Sequence, residues 1–144
     1  MSGMKRRTML QGIAGGAMLA GLLANEGLGQ SSDGAVFELR VYHANEGKLP
    51  ALLARFRDHT MALFTRHGIT SVAYWTPIDE TPLKGRTLFY MLKYPSRAES
   101  KLRWKAFQDD PEWVRVKAAS EVDGKLVERV ESTFLERTDF SPTV

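Results

Sequence analysis

The chain has 144 residues and a formal net charge of +3, with 20 Lys and Arg against 17 Asp and Glu. This length allows one domain and excludes a second independent core. The absence of cysteine excludes disulfides, thiolate metal sites and cysteine nucleophiles. No run of Lys and Arg follows the first few residues, so the sequence argues against a nucleic-acid partner.

Residues 1–29 have the three-part pattern of an export signal. Lys5, Arg6 and Arg7 come first, an apolar stretch rich in Ala and Gly follows over residues 13–23, and small residues lie around Gly29. The apolar stretch is shorter than the roughly 20 residues of a membrane-spanning helix, which argues against a permanent anchor. The paired arginines resemble a twin-arginine (Tat) signal. We therefore expect a periplasmic or secreted protein that is cleaved near Gly29, with an earlier cleavage site left open.

The first two predicted elements after the signal are a strand and a helix. Apolar and polar side chains alternate over residues 35–43, which predicts a half-buried strand. Apolar residues then recur with helical spacing over residues 49–64. Asn45 is a candidate cap and Gly68 a candidate stop. The pattern predicts one long amphipathic helix.

The next elements are a hairpin and a helix. β-branched and aromatic residues predict strands over 69–76 and 87–94, separated by a turn-rich segment. Ser96 and Glu99 have the spacing of a capping box, and the helix that they begin breaks at Asp109. The hairpin therefore leads directly into the second half of the fold.

A further helix and a last strand complete the domain. Asp110 is the expected cap and Pro111 the first residue of this helix. Alternating side chains over residues 126–135 predict the strand. The order β-α-β-β-α-α-β matches an α+β, ferredoxin-like split βαβ fold, with a four-stranded antiparallel sheet in the order 4-1-3-2 and helices on one face.

The third predicted strand is apolar on both faces, and such a strand needs a second cover. The simplest cover is a second copy of the same sheet, related by a two-fold axis. We assign the polar side of the first strand to the helix-free face, and Phe89 of the third strand to the helix side. The predicted interface residues of the homodimer are Arg40, Leu88, Tyr90, Leu92 and Glu131.

Five short sequence words identify a family resemblance. They are FELRVY at 37–42, GKL at 47–49, HG at 67–68, YWT at 74–76 and DPEW at 110–113. In this order and spacing they resemble the NIPSNAP family of the dimeric α/β-barrel superfamily, over residues 36 to about 134. The resemblance implies a homodimer whose two sheets close a barrel. Superfamily relatives include cofactor-free monooxygenases, haem-degrading enzymes and lactone isomerases, so the fold alone selects no chemistry.

The resulting division of the chain has four parts. We expect an export signal at 1–29, a short linker at 30–35, a NIPSNAP-like, ferredoxin-like domain at 36–136 and a C-terminal tail at 137–144.

The candidate ligand-binding residues are aromatic or histidine side chains expected near the cleft between sheet and helices. Two have simpler explanations, because His67 can act as a cation at a helix end and His59 can be a half-exposed edge residue. Tyr74 and Trp75 point to opposite faces, so only one can reach the cleft. We interpret Trp113 mainly as a core residue. The candidates are Tyr42, His59, His67, Tyr74, Trp75 and Trp104.

Two classes of function follow from these features. The first is a protein that binds a small apolar or aromatic ligand in the cleft, with cofactor-free monooxygenase-like or isomerase-like activity in which His or Tyr moves a proton. The second is a non-catalytic interaction or scaffold module whose cleft is filled by side chains. A haem binder that uses His59 or His67 is a further alternative. The sequence predicts no metal site and no other cofactor, and it leaves open whether the protein is an enzyme.

Overall fold

A computed structural model describes residues 34–144, so the predicted export signal lies outside the described residues. Five helical segments and four strands follow one another in this part of the chain. None of its helices has the length and apolar character needed to cross a membrane. The elements are β1 (Val36–Ala44), α1 (Leu49–Arg55), a π-helical turn (Phe56–Thr60), α2 (Met61–Arg66), β2 (Thr70–Trp75), β3 (Thr87–Tyr94), α3 (Arg97–Asp109), α4 (Pro111–Ser120) and β4 (Val127–Leu135).

The four strands form one antiparallel sheet in the order β2-β3-β1-β4. This is the predicted topology, and β2 and β3 pair as the predicted hairpin. The helices pack against one face, where a single cluster of buried apolar side chains joins sheet and helices. The α+β, ferredoxin-like fold class is therefore confirmed.

The helices α3 and α4 begin at the N-cap residues that the sequence predicted. The Ser96 side chain accepts a hydrogen bond from the backbone N–H of Glu99 at 3.1 Å and begins α3. The Asp110 carboxylate accepts from the backbone N–H of Glu112 at 2.8 Å, and Pro111 is the first residue of α4. These caps satisfy N–H groups that have no acceptor within their own helix.

The first helical segment differs from the prediction in two ways. Its cap position is Lys48, whereas the Asn45 side chain donates to the carbonyl oxygen of Lys125 at 2.8 Å. The π-helical turn interrupts the predicted single helix between α1 and α2. Gly68 ends the segment with a positive φ of 69°, the conformation expected after a helix C-terminus.

The sequence correctly separated the two sides of β1, β3 and β4, but it assigned the sides of β1 and β3 to the wrong faces. Tyr90 of β3 pairs with Arg40 of β1 in the register, so both side chains lie on the same face of the sheet. Tyr90 belongs to the core cluster that contains helix residues, and it is fully buried. The face with Arg40 and Tyr90 is therefore the helix face, and Phe89 lies on the helix-free face, contrary to prediction.

Because the two faces are reversed, four of the five predicted interface residues lie on the helix face. Leu88, Tyr90 and Leu92 are buried under the helices, and Arg40 shares their face, so none of them can form an interface through the helix-free side. Glu131 pairs with Val41 and does lie on the helix-free face. Alternation alone could not distinguish the faces, because both sides of β3 are apolar.

Candidate ligand-binding cleft

A cleft of about 800 Å³ lies between the helix face of the sheet and the helices α3 and α4. This volume is in the range of small-molecule sites, which usually combine apolar walls with a few polar groups. Exposed residues such as Val114 and Lys117 lie at its solvent side. Aromatic side chains form much of the wall: Tyr42, Phe56, Phe64, Trp104, Phe107 and Trp113.

Arg40 provides the polar floor of the cleft. The Nε of Arg40 donates to the hydroxyl of Tyr90 at 2.9 Å, and a second nitrogen donates to the hydroxyl of Tyr42 at 3.4 Å. Its third nitrogen is paired with the Glu38 carboxylate. The guanidinium also lies 4.0 Å from the ring centre of Trp104, a cation–π contact. Hydrogen bonds and an aromatic ring thus fix a charged group in place.

Glu38 is the buried carboxylate that pairs with the Arg40 cation. Its side chain is only 4% exposed and accepts from Ser132 at 2.6 Å and from the Tyr94 hydroxyl at 3.1 Å, in addition to Arg40. Burial raises the pKa of Tyr94, and the charge of Glu38 raises it further, so Tyr94 stays a neutral donor. A buried carboxylate with these partners meets the requirement that buried charges be paired and hydrogen-bonded.

The buried surroundings of Arg40 and Tyr90 also shift the pKa values of these two side chains. Burial by itself lowers the pKa of Arg40, but the neighbouring oxygens of Tyr90, Tyr42 and Glu38 outweigh burial and raise it. Burial raises the pKa of Tyr90 well above its ordinary value. Arg40 therefore stays a guanidinium cation, and the Tyr90 hydroxyl that it contacts stays neutral at physiological pH.

A second buried arginine lies at the α4 side of the cleft. Arg55 is 5% exposed and donates to Ser120 at 3.1 Å and to the Glu121 carboxylate at 3.3 Å. Its guanidinium lies 5.1 Å from the ring centre of Trp113. The Nε of Arg55 is buried and has no hydrogen-bond partner among the described residues.

Glu121 is shared between Arg55 and Lys117, whose Nζ donates to it at 2.8 Å. Burial favours a higher pKa for Glu121, but the hydrogen bonds and charges of Lys117 and Arg55 outweigh it and lower the pKa. Two cations therefore face one carboxylate at this end of the cleft.

The π-helical turn contributes two residues to the wall of the cleft. Phe56 and Thr60, its first and last residues, both line the cavity. The Thr60 hydroxyl donates to the carbonyl oxygen of Arg55 at 3.1 Å, which satisfies a backbone acceptor at the turn. Phe56 packs edge-on against Tyr42 and Tyr90, with ring centres 5.8 and 5.1 Å apart. Turns of this kind are frequent at functional sites.

Two of the predicted ligand-binding residues, Tyr42 and Trp104, line the cleft. Tyr74 lies on the helix face of the sheet, as Tyr42 does, but it packs inside the aromatic cluster. Its ring stacks on Tyr90, and its hydroxyl lies 2.7 Å from that of Ser71. Burial raises the pKa of Tyr74, although the Ser71 hydrogen bond opposes this. Trp75 is half exposed on the opposite face, next to Phe89 in the register. Tyr74 and Trp75 therefore lie on different faces, as predicted.

Neither histidine candidate lines the cleft. His59 lies in an outer groove between the first helical segment and α4. The Nε2 of His67 lies 2.7 Å from the Asp110 carboxylate, which joins the end of α2 to the start of α4. His67 therefore lies at a helix end, and His59 is an exposed residue outside the cleft. Within residues 34–144, no group of three or more His, Asp or Glu side chains comes together to hold a metal ion.

The roles of Arg40 and Arg55 in the cleft were not predicted from the sequence. Strand β1 has Glu38, Arg40 and Tyr42 at every second position on one side, and this pattern is also typical of a solvent-exposed face. Arg55 lies on a helix whose surroundings depend on α4, far away in the chain. One available signal was that a strand with Glu38 and Arg40 on the same side as Tyr42 can form a buried network.

The model of one protein family, NIPSNAP, matches residues 37–142 of this chain. The chain belongs to the NIPSNAP family. This finding confirms the resemblance that the five sequence words indicated. No curated protein gives a significant match.

Solved structures of NIPSNAP proteins share the fold. A NIPSNAP-like domain protein from Burkholderia xenovorans is 18% identical with a TM-score of 0.66, and the alignment covers 78% of this chain and 92% of that one. A NIPSNAP family protein from Agrobacterium tumefaciens is 26% identical with a TM-score of 0.65, covering 75% and 97%. A second protein from that bacterium is 22% identical with a TM-score of 0.64, covering 75% and 92%.

Proposed function

We propose that this NIPSNAP protein binds a small apolar or aromatic ligand in the cleft between its sheet and helices. The observation that supports this most is the open cavity of about 800 Å³, with aromatic walls and a fixed polar floor at Arg40 and Tyr42. A scaffold module was expected to fill this space with side chains, so the cavity favours a ligand. Haem ligation in the cleft loses support, because His59 and His67 lie elsewhere.

The activity that we propose is monooxygenase-like or isomerase-like chemistry in which the ligand supplies most of the reactivity. Tyr42 is the proton-carrying group that both lines the cavity and contacts Arg40. In an isomerisation, its hydroxyl would give a proton to one ligand atom and regain one from another. Arg40 would stabilise negative charge on a ligand oxygen during this exchange.

Energy transfer from tryptophan to a neutral aromatic probe, 1-aminoanthracene, tests binding in the cleft. Trp104 and Trp113 line the cavity, whereas Trp75 lies on the other face. We expect probe emission under tryptophan excitation, and we expect Trp104→Phe or Trp113→Phe to reduce it. Trp75→Phe is the matched control and should preserve it. Equal reduction in all three variants, or no emission in the wild type, would contradict binding in the cleft.

We also propose that the protein is a homodimer whose interface is the helix-free face. Leu39 pairs with Met91, and Val41 pairs with Phe89, so these side chains form a contiguous apolar patch. All four are only partly buried in the single chain. A patch of this kind commonly marks an interface. In sedimentation, Met91→Lys should convert a dimer into a folded monomer, and a monomeric wild type at micromolar concentration would contradict the proposal.

Export by the twin-arginine route is the last part of the proposal, and it rests on the sequence of residues 1–29. The exchange of Arg6 and Arg7 for Lys keeps the charge but removes the guanidinium groups. We expect the precursor of this double variant to stay in the cytoplasm, as followed by cell fractionation. Continued export would indicate a Sec-type signal instead. Native mass spectrometry of the exported protein would report its assembly state and any ligand that it retains.

A further inference from the structure

The α4 end of the cleft has an excess of positive charge. Arg55 and Lys117 both contact Glu121, and both line the cavity together with it. At the floor, by contrast, Arg40 is matched by Glu38. Within residues 34–144, Arg55 and Lys117 therefore share Glu121, and one of the two cations has no carboxylate of its own. In a cleft with apolar walls, such a charge attracts an anion more strongly than it does in water.

Arg55 also retains an unused hydrogen-bond donor. Its side chain is 4% exposed, and its Nε–H has no acceptor among the residues described. A buried N–H group without an acceptor is unfavourable, and most such groups in native proteins have a partner. A ligand oxygen would supply the missing acceptor once binding turns this N–H, which is closed to solvent in the unliganded chain, toward the cleft. The unsatisfied donor indicates an acceptor oxygen, and the charge excess indicates that this oxygen is anionic.

The aromatic rings beside Arg55 indicate what this oxygen would be attached to. Trp113 lies under the Arg55 guanidinium, with 5.1 Å from the guanidinium carbon to the ring centre. Phe107 packs on Trp113 with ring centres 4.6 Å apart, and both line the cavity. A flat aromatic body can lie along these rings while its acidic group reaches Arg55.

We propose that the cleft selects aromatic acids, binding the anionic oxygen between Arg55 and Lys117 and the ring system along Trp113 and Phe107. This inference rests on the proposed ligand-binding function and specifies the class of ligand. Arg40 and Tyr42 then meet the far end of the ligand, where they recognise a hydroxyl or carbonyl group. Arg55 and Lys117 act as binding residues, and the reacting part of the ligand lies at the floor.

Calorimetric titration with 2-naphthoate and its neutral counterpart 2-naphthamide tests this inference. The two probes share the ring system and differ in charge. We expect the wild type to bind naphthoate about tenfold more tightly than naphthamide, in line with the strength of hydrogen bonds to charged groups. Arg55→Met should bring the two affinities close to each other, and Glu121→Gln should widen the difference, because it removes the competing carboxylate.

Two further variants separate binding from folding and from surface charge. The Lys117 side chain is half exposed, so Lys117→Met should keep the fold and still weaken naphthoate binding several-fold. Arg115 lines the outer groove and does not line the cleft, so Arg115→Met is the matched control and should preserve the preference. Loss of the preference in Arg115→Met, or its persistence in both Arg55→Met and Lys117→Met, would overturn the assignment.

The wild-type result distinguishes the two levels of the proposal. Equal affinity for both probes would overturn the acid preference and leave the aromatic-binding function standing. No binding of either probe would contradict the binding function itself, and the acid preference with it.

Discussion

The two faces of the sheet differ in where their charged side chains lie. On the helix face, the charged pair Glu38 and Arg40 lies in the middle of a strand, with Glu38 buried and the Arg40 side chain 11% exposed. On the helix-free face, Leu39 and Met91 occupy the centre, and the hydrogen-bonded pair His43 and Glu131 lies toward one edge. Charged residues in the middle of a strand therefore do not mark the exposed side of this sheet. The buried charges are tolerated because each has a partner, and they form the floor of a cleft.

The largest expected effect comes from placing a new charge on the covered face. Tyr90→Lys would bury an ammonium beside the Arg40 guanidinium, without a free carboxylate, and we expect the domain not to fold. Phe89→Lys places the same group one residue along, on the helix-free face. This variant should keep the fold in circular dichroism. If Tyr90→Lys folded and Phe89→Lys did not, our assignment of the two faces would be wrong.

A subtler change tests the buried ion pair. Glu38→Gln leaves Arg40 buried without its carboxylate, and we expect a loss of about 3–5 kcal/mol in the free energy of unfolding, measured by urea denaturation. The matched change on the other face is Glu131→Gln. The Glu131 side chain is half exposed, so this variant should keep the wild-type urea midpoint. Equal effects of the two variants would remove the distinction between the faces.

Two tryptophans provide a comparison without charge. Trp113 packs against Phe107 and the core cluster on the helix side, so Trp113→Ala should cost about 3 kcal/mol in urea denaturation. Trp75 is half exposed on the helix-free face, and Trp75→Ala should cost less than about 1 kcal/mol in the monomer. A Trp113→Ala variant of wild-type stability that no longer binds aromatic probes would show that Trp113 serves the ligand alone.

The smallest predicted effect concerns pH. The hydrogen bond with His67, together with those from the Glu112 backbone and Arg66, lowers the pKa of Asp110 below its ordinary value of 3.8. Because the folded state binds this proton less readily than the unfolded state, Asp110 contributes stability above that value and loses it as the pH falls through the lowered pKa.

The Asp110→Asn variant tests this pH effect, because the amide oxygen can still cap α4 but no longer titrates. Its urea midpoint should decline less steeply than that of the wild type below about pH 4. Asp79→Asn, in the exposed turn between β2 and β3, is the control. Identical acid profiles of Asp110→Asn and the wild type would contradict a stabilising Asp110 carboxylate.

The sequence by itself determined the order of the elements and the fold class. Signals for strands and helix caps act over a few residues, so Ser96 and Asp110 could be identified without knowledge of their surroundings. The alternation along β1 also separated its two sides correctly. The same local words identified the family, and the family model confirmed it. Two of the predicted ligand-binding residues, Tyr42 and Trp104, line the cleft.

Only the tertiary structure decided which face the helices cover and where the site lies. Both sides of β3 are apolar, so local pattern could not choose between Tyr90 and Phe89. Phe56 and His59 belong to the same π-helical turn, yet Phe56 lines the cleft and His59 lies in the outer groove. The partners of Arg55 lie 65 and 66 residues further along the chain. Such contacts form only when α4 packs beside α1, and local sequence carries no information about that packing.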